Sequence, residues 1–158
     1  MPFPVELRSF PVTSAGELLT LQRAAYVSEA QLYDDLRLPA LVQTVEELVA
    51  ELTVSACVGA WSGSRLVGAV RSREEGDMLH IGRLVVAPDL QGRGIGQQLL
   101  TAAEAATGLP EATLFTGARS EANLRLYSRL GYQERAREML RPGLELVHLV
   151  KSLPAPQR

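Results

Sequence analysis

Three closely spaced glycines between a predicted strand and a predicted helix constrain this sequence more than any other feature. The strand is predicted at Met78–Val86, and a helix with one apolar face follows from Ile95. Glycines allow consecutive main-chain N–H groups to point into one concavity, and a helix N-terminus adds partial positive charge there. Gln91 and Arg93 supply side-chain donors beside the glycines, which are Gly92, Gly94 and Gly96. The turn is therefore predicted to bind a phosphate or pyrophosphate.

Two common nucleotide-binding motifs do not fit this turn. A P-loop requires Lys and then Ser or Thr after its last glycine, where this chain has Gln97 and Gln98. The dinucleotide fingerprint requires a glycine at its sixth position, which is Gln97 counted from Gly92 and Leu99 counted from Gly94. The turn could therefore be a phosphate site that differs from both motifs. The alternative is a glycine-rich turn that binds no ligand.

The order of the predicted elements is that of an α+β (mixed α/β) domain. Alternation of apolar and polar positions indicates strands, whereas apolar positions three and four residues apart indicate helices. In chain order, the pattern predicts an extended segment at 5–10, helices after residues 14 and 44, strands at 53–61, 66–73 and 78–86, a helix from 95, a strand at 112–116, a helix at 120–130, and strands at 132–139 and 144–152.

Several helix starts are predicted from residues that cap a helix N-terminus. In a capping box, a side-chain oxygen and a carboxylate three residues later bond to the free N–H groups of the first turn. Ser14 with Glu17 and Thr44 with Glu47 have this spacing, and Ser120 is predicted to cap a later helix. The first helix is expected to bury one apolar stripe, formed by Leu18, Leu21, Ala25 and Leu32.

Composition excludes several classes of protein. The 158 residues suit one domain over 1–158, large enough to form a core without disulfide or metal support. The formal net charge of −2 gives no general attraction to nucleic acid or anionic membranes. The single cysteine, Cys57, is expected to be buried in a strand, and no cluster of residues has metal-ligand spacing. We therefore expect a cytoplasmic protein without a metal.

Two segments of the sequence match a known family. The string IGRLVVAPDLQGRGIGQQLL at 81–100 contains Gln91, Gly94 and Gly96 in the spacing Gln-x-x-Gly-x-Gly. The string NLRLYSRLGY at 123–132 ends a helix pattern with Leu-Tyr and then Gly-Tyr. In this order they resemble the acetyl-coenzyme A (acetyl-CoA) motif and the later helix of the GNAT superfamily of N-acetyltransferases, as found in bacterial members. The order of elements supports the resemblance over nearly the whole chain.

The resemblance implies a GNAT-like fold with acetyl-CoA as cosubstrate. Its twisted mixed sheet of six or seven strands, flanked by about four helices, would splay apart between strands 4 and 5. The pantetheine arm would lie in that gap, beside the main chain of Leu84, Val85 and Val86, with the Val86 N–H facing the thioester carbonyl. The pyrophosphate would bind to the turn formed by Gln91, Gly92, Arg93, Gly94, Ile95 and Gly96.

The resemblance also implies two catalytic residues. An alkyl amine has a pKa of about 10, so it must lose a proton before it attacks, and the thiolate that leaves benefits from a proton donor. Tyr127 matches the family tyrosine near the CoA sulfur, the alternative being a core tyrosine. His80 aligns with the catalytic glutamate of histone-acetylating relatives and could act as the base, the alternative being a structural or exposed strand histidine.

Two binding assignments are less direct. Many family members carry an asparagine seven residues before the helix tyrosine, where this chain has Ser120; either Ser120 or Asn123 could bond to CoA, or could cap the helix. For the acceptor, three side chains share one face of the first helix and would suit a cationic amine: Tyr26, Glu29 and Tyr33. In the alternative, both tyrosines pack at the edge of the core and the carboxylate is solvated.

The sequence thus predicts an enzyme that transfers an acetyl group from acetyl-CoA to a primary amine of a small molecule or protein. Transfer would occur by direct attack in a ternary complex. The expected partners are acetyl-CoA and the amine acceptor; a homodimer is left open, and neither nucleic acid nor a membrane is expected. Two alternatives remain: a non-catalytic acetyl-CoA-binding sensor or partner module, and a transferase that uses a longer acyl-CoA.

Overall fold

Seven strands and five α-helices make up the fold, which a computed structural model describes for residues 2–154. The strands are β1 (Glu6–Ser9), β2 (Ala56–Ser62), β3 (Arg65–Glu75), β4 (Met78–Val86), β5 (Glu111–Gly117), β6 (Gln133–Arg141) and β7 (Leu144–Ser152). The α-helices are α1 (Ala15–Tyr33), α2 (Pro39–Val42), α3 (Val45–Val54), α4 (Ile95–Ala105) and α5 (Glu121–Arg129). The order of elements agrees with the prediction, apart from the short α2.

All seven strands form one mixed sheet in the order β1-β2-β3-β4-β5-β7-β6. The β4–β5 pair is parallel, and it is short: only Met78–His80 pair with residues 111–113. The other neighbouring pairs are antiparallel. Beyond His80 the main chain of β4 has no strand partner on the β5 side. The predicted gap between strands 4 and 5 is therefore confirmed.

Helices cover both faces of this sheet. A Cβ at Gly68 of β3 would contact Ile95 and Leu99 of α4, whereas Arg71, on the opposite face of the same strand, bonds to Gln22 of α1. Fully buried leucines from both layers complete the core, including Leu18, Leu48, Leu99 and Leu100. α1 and α4 therefore hold β4 between them, which positions the strand end that leads into the glycine turn.

A β-bulge interrupts β4 shortly before its end. Ala69 pairs with Val85 and Arg71 pairs with Gly82, so β4 has one residue more than β3 in this stretch. Arg83 accommodates the extra residue with a left-handed backbone conformation, φ +48°. Such bulges bend a strand and redirect a side chain, and here the redirected side chain belongs to Arg83.

Of the three predicted helix caps, two were wrong and one was confirmed. Thr44 and Glu47 form the predicted capping box at α3, with both hydrogen bonds present. Ser14 makes no capping bond, because a 3-10 turn leads into α1 and the Glu17 carboxylate accepts instead from the Leu66 N–H at 3.1 Å. Ser120 makes none at α5 either, since its hydroxyl is committed elsewhere.

The buried stripe of α1 also differs from the prediction. Leu18 and Leu21 are buried as predicted, but Leu32 is 41% exposed. Gln22 and Ala30 are buried instead, at 0% and 4% exposure. The predicted stripe was based on large apolar residues, and such a pattern does not include a buried glutamine. The prediction therefore placed the wrong side of the last turns of α1 against the core.

Candidate functional site

A cavity of about 420 Å³ lies where the end of β4, the glycine turn, α1 and α5 meet. It brings together most residues predicted to bind CoA, namely Leu84, Val85, Val86, Gln91, Gly92, Gly94, Ile95, Gly96 and Asn123. Tyr26 and Glu29, predicted to bind the acceptor, line the same cavity. Arg93, Tyr33, Tyr127 and His80 do not line it. The structure thus joins the two predicted binding regions into one site.

The glycine turn has the form of an anion-binding loop. Gly92 and Gly94 have φ values of +77° and +85°, and Gly94 stands immediately before the first residue of α4. Across residues 92–97, the main-chain N–H groups donate no hydrogen bond within the described part of the chain. Unpaired N–H groups at a helix N-terminus attract an anion through both hydrogen bonding and the helix dipole. The turn therefore fits the diphosphate of a coenzyme.

The start of the chain supports this turn from outside the cavity. The Phe3 N–H donates to the Arg93 carbonyl at 3.1 Å, and the Gln98 side chain donates to the Phe3 carbonyl at 3.0 Å. The Arg93 guanidinium lies 5.7 Å from the centre of the Phe3 ring. Arg93 is thus directed towards the N-terminal segment, a contact between residues distant in sequence that no local pattern indicates.

The last residues of β4 present a free main-chain edge to the cavity. The Ala87 N–H donates to the Val67 carbonyl at 2.8 Å and so points towards β3. Successive N–H groups along a strand point to opposite edges, which directs the Val86 N–H into the gap beside β5. An extended molecule in the gap could pair with this edge as an added strand would.

Tyr127 lies in α5 and is only 6% exposed. Its ring meets that of Tyr132 edge-on, with the centres 6.1 Å apart. Its hydroxyl makes no hydrogen bond to residues 2–154. Burial raises the pKa of the Tyr127 phenol, and the nearby Tyr26 and Glu29 raise it further. The phenol therefore keeps its proton at neutral pH and remains a free hydrogen-bond donor beside two residues of the cavity wall.

A hydrogen-bonded chain links α1 to the start of α5. The Ser120 hydroxyl donates to the Glu29 carboxylate at 2.7 Å, and this bond replaces the predicted helix cap. The Tyr33 hydroxyl accepts from the Arg119 N–H at 2.9 Å and lies against Gly117, so Tyr33 supports the β5–α5 connection. Glu29 is the member of this group that reaches the cavity.

A family model described as an acetyltransferase (GNAT) domain matches residues 36–153. This chain belongs to the GNAT acetyltransferase family. The unpaired turn and the free β4 edge are available to an extended cosubstrate that carries a diphosphate. A comparison with curated protein sequences gave no match.

Solved structures similar to this GNAT domain have the same fold at low identity. The PaiA N-acetyltransferase of Thermoplasma acidophilum, in complex with coenzyme A, is 17% identical with a TM-score of 0.76, covering 95% of this chain and 99% of that one. The ribosomal-protein-S18-alanine N-acetyltransferase of Escherichia coli is 14% identical with a TM-score of 0.79, covering 98% and 97%. A phosphinothricin acetyltransferase of Sinorhizobium meliloti, in complex with AcCoA, is 14% identical with a TM-score of 0.77, covering 99% and 95%.

The remaining predicted residues of the GNAT site occupy different places. Asn123 lines the cavity and donates to the Thr116 hydroxyl at 3.2 Å, whereas Ser120 lies outside it. His80 has a side chain 45% exposed and lies 3.7 Å from the Glu75 carboxylate. It stands four positions before Leu84 in β4, or about 13 Å along a strand. The structure therefore does not bring His80 to the cavity, and its role as base stays a prediction.

Sequence reasoning missed two arginines on the α1 side of the sheet. Arg71 is 4% exposed and bonds to Glu51 at 3.1 Å and to Gln22 at 3.0 Å, and burial lowers the pKa of its guanidinium. The Nε of Arg83 is buried and has no hydrogen-bond partner in the described residues. An arginine in a strand pattern is usually solvated, so the sequence carried no signal for either position.

None of the helices in residues 2–154 is both long and apolar enough to cross a membrane. The same residues contain no group of three His, Cys, Asp or Glu side chains that could hold a metal ion. Cys57 is buried in β2, and burial raises the pKa of its thiol to about 11, so the thiol is a poor nucleophile at neutral pH.

Proposed function

We propose that this GNAT protein transfers an acetyl group from acetyl-CoA to a primary amine by direct attack in a ternary complex. The observation that carries the proposal is that one cavity is shared by the glycine turn, the β4 edge and the face of α1 that carries Tyr26 and Glu29. Because one cavity includes both regions, cosubstrate and acceptor can be held side by side. Direct transfer then requires no acyl-enzyme intermediate, in keeping with the buried, weakly acidic Cys57.

Each part of the cavity has a role in this proposal. The turn at residues 91–96 would hold the diphosphate, and the Val86 N–H would stabilise negative charge on the carbonyl oxygen during attack. Tyr127, which does not line the cavity but lies buried near Tyr26 and Glu29 of its wall, would donate its proton to the departing thiolate. Glu29 would attract the cationic form of the amine, since it is a carboxylate on the wall that faces the acceptor.

Removal of a proton from the amine is a further requirement. Glu29 lines the cavity and would be within reach of the acceptor nitrogen, directly or through water. His80 would need a chain of water molecules along β4 to receive the same proton. The pH profile of turnover for His80→Ala would distinguish them, since loss of a histidine base should be greatest below pH 8, where the free amine is scarcest.

Release of free thiol tests the proposal against a sensor that binds acetyl-CoA without reacting. Purified protein is incubated with acetyl-CoA and a library of amines, and free CoA and N-acetylated products are measured. Thiol release that depends on the amine, with a matching product, is the expected result. Tight binding of acetyl-CoA by calorimetry without thiol release for any amine would favour the sensor. Parallel reactions with propionyl-CoA and butyryl-CoA determine the acyl-chain preference.

A further inference from the structure

Arg83 carries a positive charge that has no counterion in the described part of the chain. Its guanidinium forms no ion pair or hydrogen bond there, and its Nε is buried. A buried N–H without a partner is unfavourable, because it has lost its hydrogen bonds to water and gained none in return. The nearby Glu51 carboxylate already accepts from Arg71, which also bonds to Gln22, so Glu51 does not neutralise Arg83.

The fold places this charge next to the acceptor side of the cavity. Arg83 is not itself part of the cavity lining, but it immediately precedes Leu84, which is, and its side chain extends towards Tyr26 of α1. The guanidinium carbon lies 5.9 Å from the centre of the Tyr26 ring, which lines the cavity as well. A left-handed conformation in a residue other than glycine is strained, and such strain is concentrated at functional sites.

A negative charge stands one helical turn away. Glu29 follows Tyr26 by three residues, about 4.5 Å along the helix axis. Its carboxylate accepts the Ser120 hydroxyl and forms no ion pair within residues 2–154. Arg83 and Glu29 are therefore opposite charges that both lie near Tyr26 and form no ion pair with each other. A small ligand with a positive and a negative group could satisfy both.

We propose that the acceptor of this enzyme is an amine that also carries a carboxylate, that is, an amino acid or a similar zwitterion. Arg83 binds the carboxylate through its planar, charged N–H groups, and Glu29 attracts the amine. This inference rests on the proposed function and specifies its acceptor. Polyamines and simple alkyl amines fit less well, because they leave Arg83 unpaired and bring further positive charge towards it.

The reaction balances without any further reactant. The amine nitrogen forms a bond to the carbonyl carbon of the thioester, and the carbon–sulfur bond breaks. The ammonium nitrogen of the zwitterion loses two protons: one passes to a base or water before attack and is released to solvent, and the other leaves as the amide forms, while the departing thiolate gains one proton. The carboxylate is unchanged, and the products are an N-acetyl amino acid, free CoA and one proton.

Matched acceptors test this proposal. Thiol release is measured for the α-amino acids of proteins, each beside its carboxamide and its decarboxylated amine. The ratio of kcat/KM for acid over amide is expected to reach about 100 in the wild-type enzyme and to fall at least tenfold in Arg83→Gln. Arg83→Lys, which keeps the charge, should restore part of the ratio. The control is Arg73→Gln, which removes an exposed arginine on β3 and should leave the ratio unchanged.

The possible results distinguish a failure of the proposed acceptor from a failure of the proposed transferase activity. A wild-type ratio within a factor of two of unity, or the same ratio in Arg83→Gln, would overturn the carboxylate site while leaving an N-acetyltransferase. Absence of thiol release with every amine would contradict the transferase instead. In that case, calorimetry measures the affinities of the CoA-loaded protein for N-acetyl amino acids and for their carboxamides. Tighter binding of the acids would support the carboxylate site, and equal affinities would overturn it.

Discussion

At the scale of single residues, the candidate site depends on the left-handed backbone conformation of Gly94. A Cβ at this position would meet only Pro2, at an ordinary contact distance of 3.8 Å. Space alone would therefore tolerate a side chain, but φ +85° would not. Any larger residue must change the turn and with it the directions of the N–H groups that are free to bind an anion.

Gly94→Val is expected to lower the affinity for acetyl-CoA at least about tenfold, because strain of a few kcal/mol would distort the anion-binding turn. Isothermal calorimetry measures the affinity, and circular dichroism confirms that the variant folds. Gly63→Val is the matched control, since Gly63 also has positive φ (+62°) and open space but lies in the β2–β3 turn. Equal affinities for acetyl-CoA in the two variants would contradict the assignment of the turn.

Tyr127→Phe tests the proposed proton donor at the same scale. The substitution removes one hydroxyl that makes no hydrogen bond to residues 2–154, so it should barely affect stability. Turnover is expected to fall by roughly 10²–10⁴ with little change in acetyl-CoA affinity. Tyr132→Phe is the control, because its hydroxyl bonds to Glu104 at 2.7 Å, outside the cavity. Turnover of Tyr127→Phe within a factor of two of wild type would exclude the role.

At the scale of elements, α1 and α3 have the same capping-box spacing at their N-termini, but the two helix starts differ in structure. Thr44 and Glu47 bond reciprocally to main-chain N–H groups, whereas Glu17 reaches across to the Leu66 N–H of β3. The local spacing is the same in both cases. The competing donor in β3, the Leu66 N–H, decides the outcome, and only the packed fold brings it within reach of Glu17.

Thr44→Ala should therefore cost about 1 kcal/mol of unfolding free energy, whereas Ser14→Ala should cost much less because Ser14 makes no capping bond. The hydrogen bonds with Thr44 lower the pKa of Glu47 in the folded state. The stabilisation from Glu47 is thus complete above the unfolded-state pKa and is lost as the pH falls through the lower folded-state value. Urea unfolding across that pH range measures both effects; equal costs for the two variants would refute the distinction.

At the scale of the whole molecule, one polar network connects the helices on the α1 face to the sheet. Arg71 of β3 bonds to Glu51 of α3 and to Gln22 of α1. Gln22 in turn donates to the Ala40 carbonyl of α2 at 2.9 Å. The three helices of this face are therefore joined to β3 by one network of buried and part-buried hydrogen bonds, and the network lies beside the strand that carries Arg83.

Arg71→Leu is expected to cost about 3 kcal/mol, because it leaves the buried side-chain oxygen of Gln22 without its donor and Glu51 without its counterion. Because Glu51 is partly exposed, the loss of unfolding free energy should lie at the lower end of the range for a broken buried ion pair. Arg137→Leu removes an exposed ion pair on β6 and should leave the unfolding free energy near that of wild type. Guanidinium unfolding compares the two; a loss for Arg137→Leu as large as for Arg71→Leu would contradict this view of the network.

The sequence by itself determined the features that depend on neighbouring residues. Both β4 and β7 have the predicted bounds, and the glycine turn follows β4 as expected, because alternation and glycine content act over a few residues. Most residues predicted to bind CoA belong to this one continuous segment, so they reach the cavity together. Family resemblance added the gap beside β4, which the parallel pairing confirmed.

Only the tertiary structure decided which distant side chains meet. The bulge at Arg83 depends on the register between β3 and β4, and the bond between Ser120 and Glu29 joins elements about ninety residues apart. The burial of Gln22 and the position of His80 away from the cavity likewise follow from how helices and strands pack. Such contacts are determined by the free energy of the whole fold rather than by local preference, because a partner distant in the chain leaves no periodic pattern in the sequence.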